Sequence, residues 1–392
     1  MKNILTIFSV GFYLLSLVLL LLYSYTQIDL GLVLTRFESL HLIQRAFQEI
    51  GFFQRPLSAK LFVFIISLFS LSYLLILGQL YRGLLKMRSV LILSVISACL
   101  LFFSYNAFSY DLFNYIFDAK IITVYSENPY EKRALDYPQD PMLGFMHWTH
   151  RTYPYGPIWL GVTVPLSYLS LNSIILSVVL FKLLAVVSYL GTVYFMRKIA
   201  ESLKLSHKAF HVALFALNPL VIIECVVSGH NDIFMVFLAV VAFYLMTIKR
   251  PYLSFFALFL SIGVKFATAL LIPVFVYLYI KRNVEKNWQK VITASFILMA
   301  IAVIVASLRT NFQPWYLLYM LPFAALSKRT LVIVPSLIIS LFALFQYLPY
   351  IYLGNYDPPV PLVLAGMLSL SFVFTAVMLL SMYLIGKRND LD

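Results

Sequence analysis

Runs of about 20 apolar residues recur along this chain, separated by short polar connections. A helix of that length crosses a hydrocarbon core of about 30 Å. A membrane β-barrel would show short alternating segments instead. Spans are expected near 4–24, 60–80, 90–108, 173–196, 209–227 and 232–248. The stretch 252–280 is too long for one simple helix. Gly263, Lys265 and Pro273 interrupt it, so it reads as a broken helix pair with Lys265 near the turn. Further spans follow near 290–308, 314–327, 330–348 and 361–386. Residues 157–172 are apolar but short, with Pro165 inside, and are read as dipping into the membrane or lying along its surface. The count is about 12 spans, in a single integral membrane domain over residues 1–392. The apolar run from Ile4 to Tyr23 is long for a signal peptide and lacks a small-residue cleavage site, so it is expected to be an uncleaved first span.

Composition agrees with an all-α polytopic membrane protein. The chain is 62% hydrophobic and 11% charged, against about a quarter charged in a soluble domain. Cys99 and Cys225 both lie in apolar segments and form neither a disulfide framework nor a metal cluster. The net charge of +13 needs a cause. Nucleic acid is not expected as a partner, because the basic residues are scattered among short loops. The positive-inside rule accounts for them. The connections assigned to the cytoplasm carry 18 Lys and Arg against four acidic residues, Glu201, Glu285, Asp390 and Asp392. The outside connections carry eleven of the sixteen acidic residues, and their first loop, 25–59, is mixed in charge, with Arg36 among its cations. Both termini then lie inside. Arg197, Lys204 and Lys249 fall on the cytoplasmic face, and Asp111, His230, Lys265 and Arg309 on the outer face.

The longest polar stretch, 109–157, holds six carboxylates, Asp111, Asp118, Glu127, Glu131, Asp136 and Asp140, with two histidines and many aromatic residues. Asp111 is expected to follow the apolar run from Leu91 to Phe108 directly, at the membrane surface. A solvated helix end is the alternative. Glu127, Glu131, Asp136 and Asp140 are expected to be solvated. On the same face lies Ser228-Gly229-His230-Asn231-Asp232, where Asn231 or Asp232 suits a helix cap, but His230 adds nothing to capping. Lys265 stands among apolar residues, where an ionisable group faces a cavity or partner or snorkels to the interface. Arg309 to Tyr316 form another outside turn. Glu224 and Lys182 fall inside predicted spans, where they are candidates to pair with each other, and no catalytic role is assigned to them.

Asp111-(three residues)-Tyr115, Asn128-Pro129-Tyr130 and Tyr153-Pro154-Tyr155-Gly156-Pro157 resemble the first large outside loop of GT-C glycosyltransferases that use polyprenyl-phosphate sugars. Mannosyltransferase-like members are the most similar. Leu217-Asn218-Pro219-Leu220, Gly229-His230-Asn231-Asp232, Val264-Lys265-Phe266 with Pro273, and Gln313-Pro314-Trp315-Tyr316 resemble later motifs of that family, some shared with enzymes adding the first mannose to the GPI anchor. The order is kept from about residue 105 to 323. Asp118 stands where a glycine is common, no doubled acid accompanies Asp111, and two extra spans precede it.

The resemblance implies a GT-C-type bundle with its catalytic loop outside, and an inverting transfer of a sugar, mannose first, from a polyprenyl-phosphate donor to a hydroxyl on a glycan or glycolipid. It implies Asp111 as the catalytic residue. It implies Asp118, Tyr115, Tyr155, His230, Asp232, Lys265, Arg309, Gln313 and Trp315 around the substrates, and no cofactor. A carboxylate at the acceptor hydroxyl can take its proton. The leaving phosphate needs cations, for which Lys265, Arg309, His230 and Arg151 are the candidates. The expected location is a multi-pass protein of the lipid bilayer, the plasma membrane in a prokaryote. A secondary transporter or lipid flippase is the alternative, since broken helices can frame a midplane site. An assembly subunit without activity is a third.

Overall fold

The structure, a computed structural model, describes residues 2–35 and 37–389. Arg36, Asp390 and Asp392, used in the charge comparison above, lie outside the described residues. The chain forms helices α1 (Lys2–Tyr25), α2 (Glu38–Gln48), α3 (Arg55–Tyr81), α4 (Met87–Leu101), α5 (Asp111–Thr123), α6 (Pro157–Leu169), α7 (Ile174–Ser202), α8 (Lys208–Ala216), α9 (Pro219–Ile222) and α10 (Asp232–Thr247). They continue with α11 (Pro251–Val264), α12 (Ile272–Ile280), α13 (Trp288–Thr310), α14 (Leu321–Leu326), α15 (Thr330–Ala343), α16 (Leu348–Leu353) and α17 (Val360–Asn389). Among the described residues there is no strand, only an isolated antiparallel bridge between Arg133 and Thr152.

The all-helical, apolar architecture is the one the hydrophobic runs predict. Among the described residues, six helices are long and apolar enough to cross a membrane, and a seventh results if the pair 208–216 and 219–227, bent by 48°, is counted as one. Five more apolar helices are shorter. The segment 314–327 is no simple span. It is a 3-10 turn, Pro314–Tyr319, followed by α14, whose six residues are all buried. Pro314 and Pro322 explain this, since a proline is tolerated in a first turn but breaks a helix interior. The stretch 252–280 does break where expected, with Lys265 in extended conformation between α11 and a 3-10 turn. Helix α6, at 13 residues, is only about 20 Å long, too short to cross alone.

Contacts between elements order the bundle ends. Tyr81 at the end of α3 stacks on His207, 4.6 Å between ring centres. The ring nitrogen Nδ1 of His211 lies 2.7 Å from the Ala325 carbonyl, and Lys328 N donates to Gln289 Oε1 at 2.8 Å. The turns after α3, before α8, before α13 and after α14 therefore share one end, rich in Lys and Arg. From there α7 and α13 run to the opposite end.

At that opposite end α4 stops at Leu101 rather than near 108. Lys182, buried in α7, caps it by donating to the Leu101 carbonyl at 3.3 Å, to the Ser104 carbonyl, and to Ser104 Oγ at 3.0 Å. A cation on the carbonyl end of a helix meets orphan acceptors and the negative end of the helix dipole. Lys182 and Glu224 therefore do not pair with each other. The capped helix lets the chain turn through 102–110, and α5 starts afresh at Asp111.

In the connection between α1 and α3, α2 turns buried Gln44 and Gln48 toward the carbonyls of Leu32 and Ile28, at 2.7 and 3.2 Å. Leu40, Leu42 and Ile43 face outward, as in a helix lying at a lipid interface.

Candidate active site

Asp111 is the first residue of α5. Its backbone N–H donates to Ser109 Oγ at 3.1 Å, and Asn106 Nδ2 donates to the Ser109 carbonyl at 3.0 Å. A carboxylate in the first turn also suits the helix dipole. Asp111 is therefore held by the start of α5 and does not follow the preceding apolar helix directly. The Asp111 side chain is 13% exposed. One turn on, Tyr115 Oη is 3.5 Å from Asp111 Oδ2 and donates to Asn231 Oδ1 at 3.2 Å.

The turn at 228–232 reaches Asp111 from the other side. Residues Ile223–Val227 form a wide π turn, a deformation frequent at functional sites. Gly229, at φ +67°, then reverses the chain, a conformation glycine adopts at no steric cost. His230 Nδ1 lies 3.6 Å from Asp111 Oδ2, and His230 Nε2 lies 3.3 Å from Glu224 Oε2. Tyr347 Oη donates to the other Glu224 oxygen at 2.6 Å. Trp315 stacks on the His230 ring at 4.1 Å. The helix-cap alternative for this turn fails, because Asn231 makes no side-chain cap bond and Asp232 is engaged elsewhere.

Asp232 is fully buried and takes Lys265 Nζ on both oxygens, at 2.7 and 2.8 Å. Lys265 is thus paired, not snorkelling. Its ammonium also sits 5.3 Å from the Tyr155 ring centre, a cation–π distance. Two glycines permit this approach. Gly156 N donates to the Val264 carbonyl at 3.0 Å, and a Cβ on Gly156 would lie 2.1 Å from the Gly263 carbonyl oxygen. A Cβ on Gly263 would lie 2.3 Å from Ile158. The Tyr155-Gly156 corner is therefore pinned to the break in 252–280. Tyr155 and Trp159 pack edge-on against Tyr115, at 5.3 and 5.4 Å.

Seven of the ten expected site residues, Asp111, Tyr115, Tyr155, His230, Asp232, Lys265 and Trp315, are linked by these contacts. Asp118, seven residues along the continuous α5, shares the face of Asp111 and is half-buried. Burial holds its carboxyl up at about 8, Arg151 opposes the shift, and the Asp111 charge adds to it. Gln313 sets the start of the 3-10 turn that carries Trp315. Arg309 is exposed at the end of α13, and no hydrogen bond or ion pair is found for it among the described residues. Arg151 stacks on Trp148 at 4.7 Å.

Sequence reasoning missed Glu224 and Tyr347. Glu224 carried a signal, since a carboxylate inside an apolar segment is costly and marks a site by default. Tyr347 carried none. Asp140, expected in solvent, is buried. It accepts from Lys120 at 2.5 Å, Tyr125 at 2.6 Å and the Met142 backbone at 2.9 Å. Among the described residues, no group of three or more His, Cys, Asp or Glu side chains is placed to hold a metal ion.

Several buried polar atoms at the cluster lack an aligned partner. They are both His230 ring nitrogens, Glu224 Oε2, Ser228 Oγ, Asn231 Nδ2 and Trp159 Nε1. Orphan buried groups are rare in folded proteins, and each needs a reason. Hydrogen bonds at a catalytic site are often long until the reactants arrive.

Comparison with known proteins bears on the same residues. Residues 26–281 match the family described as Alpha-(1->6)-mannopyranosyltransferase, N-terminal domain. The match covers well over half of the chain and takes in every linked residue above except Trp315 and Tyr347. The chain is 25% identical over 180 residues to Alpha-(1->6)-mannopyranosyltransferase A of Corynebacterium glutamicum, covering 45% of this chain but only 36% of the relative. No solved structure matches it.

Proposed function

The chain belongs to the alpha-(1->6)-mannopyranosyltransferase family, and from that premise we propose that it is an inverting glycosyltransferase that moves mannose from a polyprenyl phosphate to a hydroxyl of a glycan or glycolipid acceptor. The observation that carries this reading is the fixed Asp111 carboxylate, 13% exposed, beside a histidine and a buried lysine–aspartate pair. Asp111 takes the acceptor proton as the acceptor oxygen bonds to the anomeric carbon. The bond from that carbon to the phosphate oxygen breaks, and its electron pair leaves with the phosphate. Inversion follows from the single displacement.

Lys265, held in place by Asp232, meets the leaving phosphate together with Arg309 and Arg151. Cations aimed at developing charge are the largest catalytic contribution in such sites. His230 lies between two carboxylates and works on the proton side instead. Tyr155, Trp315 and Gln313 face the sugar, and the prenyl chain lies in the bilayer. The basic end of the bundle is cytoplasmic by the positive-inside rule, so the cluster faces the outer side.

One experiment separates this reading from a flippase. Purified protein in liposomes is given polyprenyl-phosphate [14C]mannose and octyl α-mannoside. Label should appear in the mannoside with wild type and not with Asp111→Asn. Movement of labelled donor across the bilayer with no labelled mannoside would overturn the proposal. For sidedness, single cysteines at the exposed positions 309 and 204 in a cysteine-free background should react with an impermeant maleimide from outside and inside respectively.

A further inference from the structure

We propose that Glu224, locked by Tyr347, is a positioning residue that holds His230 edge-on to the base Asp111 in one tautomer. The proposal rests on Asp111 being the base. Four observations carry it. Glu224 is fully buried in an apolar segment, where an ionisable group without a task is costly. Tyr347, more than a hundred residues away in sequence, donates to Glu224 Oε1 at 2.6 Å. That bond fixes the carboxylate from the side facing away from His230. The other oxygen, Oε2, lacks an aligned hydrogen-bond donor and lies 3.3 Å from His230 Nε2. The Glu224 carbonyl also accepts the His230 backbone N–H at 3.1 Å. One residue thus anchors both the main chain and the ring edge of His230.

The ring has little freedom left. Trp315 fixes its plane, with 22° between the rings. Glu224 claims the Nε2 edge. Nδ1 then faces Asp111 at 3.6 Å. Which nitrogen of a histidine carries the proton is set by the partner of the other nitrogen. A carboxylate at Nε2 holds the proton there and leaves the Nδ1 lone pair toward Asp111. When Asp111 takes the acceptor proton, Nδ1 can accept it in turn, and Glu224 stabilises the imidazolium so formed. No bond to carbon passes through His230, and the proton count is unchanged. The π turn at 223–227 has a purpose in this arrangement, because it swings Glu224 round to face a residue six places further on.

The test compares Glu224→Gln, Tyr347→Phe and Asp111→Asn with wild type in detergent. It reads kcat and donor KM for transfer from polyprenyl-phosphate mannose to octyl α-mannoside, with donor binding measured separately. Glu224→Gln should lower kcat by about 10–100-fold, the scale of losing a group that orients a histidine, and leave donor KM and binding unchanged. Tyr347→Phe, which keeps the carboxylate and removes only its anchor, should lower kcat in the same direction by less. A merely structural role would instead lower the yield of folded protein and disturb donor binding in step with kcat. Wild-type kcat in Tyr347→Phe would overturn the proposal even if Glu224→Gln failed to fold. Wild-type kcat in a folded Glu224→Gln would overturn it too, leaving the base intact if Asp111→Asn is inactive. Full transfer by Asp111→Asn would overturn the base and the positioning role together.

Discussion

Two carboxylate clusters hang from the same helix and differ in how far they are satisfied. Helix α5 carries Asp111 in its first turn and Lys120 in its last. At the Lys120 end, Asp140 is wholly buried, and both of its oxygens have donors. Lys120, Asp140 and Tyr125 are all paired, and among the described residues the one unpartnered buried atom beside them is Tyr137 Oη, whose ring stacks on Tyr125 at 3.9 Å. At the Asp111 end, the polar groups are just as crowded, yet His230, Glu224, Asn231 and Trp159 keep unpaired atoms. A buried polar group left unpaired costs about 1–3 kcal/mol. The Lys120 cluster is what a loop needs to fold over a bundle. The Asp111 cluster gives up stability, which a site that receives a substrate can recover on binding. The comparison teaches that polar crowding alone does not mark an active site; what sets the Asp111 end apart is several unmet bonds gathered around one partly exposed carboxylate.

The largest effect should come from Asp111→Asn. Transfer should fall by about 10²–10⁴-fold, the scale of a lost general base, while donor binding and thermal stability stay close to wild type. Activity comparable to wild type would make the Asp111 cluster no more functional than the Lys120 one.

Lys265→Ala attacks the one part of the Asp111 cluster that is fully paired. It strands the Asp232 carboxylate without its cation, and removing one partner of a buried pair costs about 3–5 kcal/mol. The melting temperature should drop clearly, even with donor absent. An unchanged melting curve would mean that the pair is not part of the fold's stability.

Asp140→Asn breaks the satisfied cluster. The amide oxygen can keep one donor, so the expected cost is about 1–3 kcal/mol, read as a lower midpoint, with the transfer rate of the folded fraction unchanged. The pH dependence has a definite sign. Burial pushes the Asp140 carboxyl up, but Lys120, Tyr125 and the Met142 N–H outweigh it and hold it below the usual carboxylate range. Its stabilisation is present at neutral pH and is lost as pH falls through the lowered value. Asp140→Asn should therefore lose less stability than wild type between pH 5 and 3, an interval of about two units around the free carboxyl value. Equal acid sensitivity would remove Asp140 from the account.

The smallest effect should be Asp118→Asn. With its carboxyl held up at about 8, Asp118 is mostly protonated at neutral pH, and asparagine imitates that form. Transfer at pH 7 should be nearly unchanged. A carboxyl with a raised value destabilises the fold as pH rises from the ordinary range through about 8. Wild type should therefore lose stability across that window, and the variant should not. A large loss of transfer at pH 7 in Asp118→Asn, with Asp111→Asn active, would move the base along α5.

Much of the molecule was written in its hydrophobic runs. The helical class, the break at Lys265 and the gathering of Asp111, His230, Lys265 and Trp315 at one end follow from apolar length, from proline and glycine positions and from ordered motifs. These are local signals, and each is set by residues a few places apart. Tertiary structure decided what those residues touch. Asp232 looked like a helix cap and proved to be the partner of Lys265, because a broken helix brings residue 265 to it. Asp140 looked solvated and is buried, because the long loop folds back on α5. Lys182 and Glu224 looked like a pair, but Lys182 caps the end of α4 and Glu224 lies between Tyr347 and His230. Glu224 meets Tyr347 only through packing of segments more than a hundred residues apart. Apolar length fixes which stretches become helices, since a helix satisfies its backbone polar groups within its own segment. Which side chains then share a buried bond depends on how those helices pack, and no local pattern encodes that.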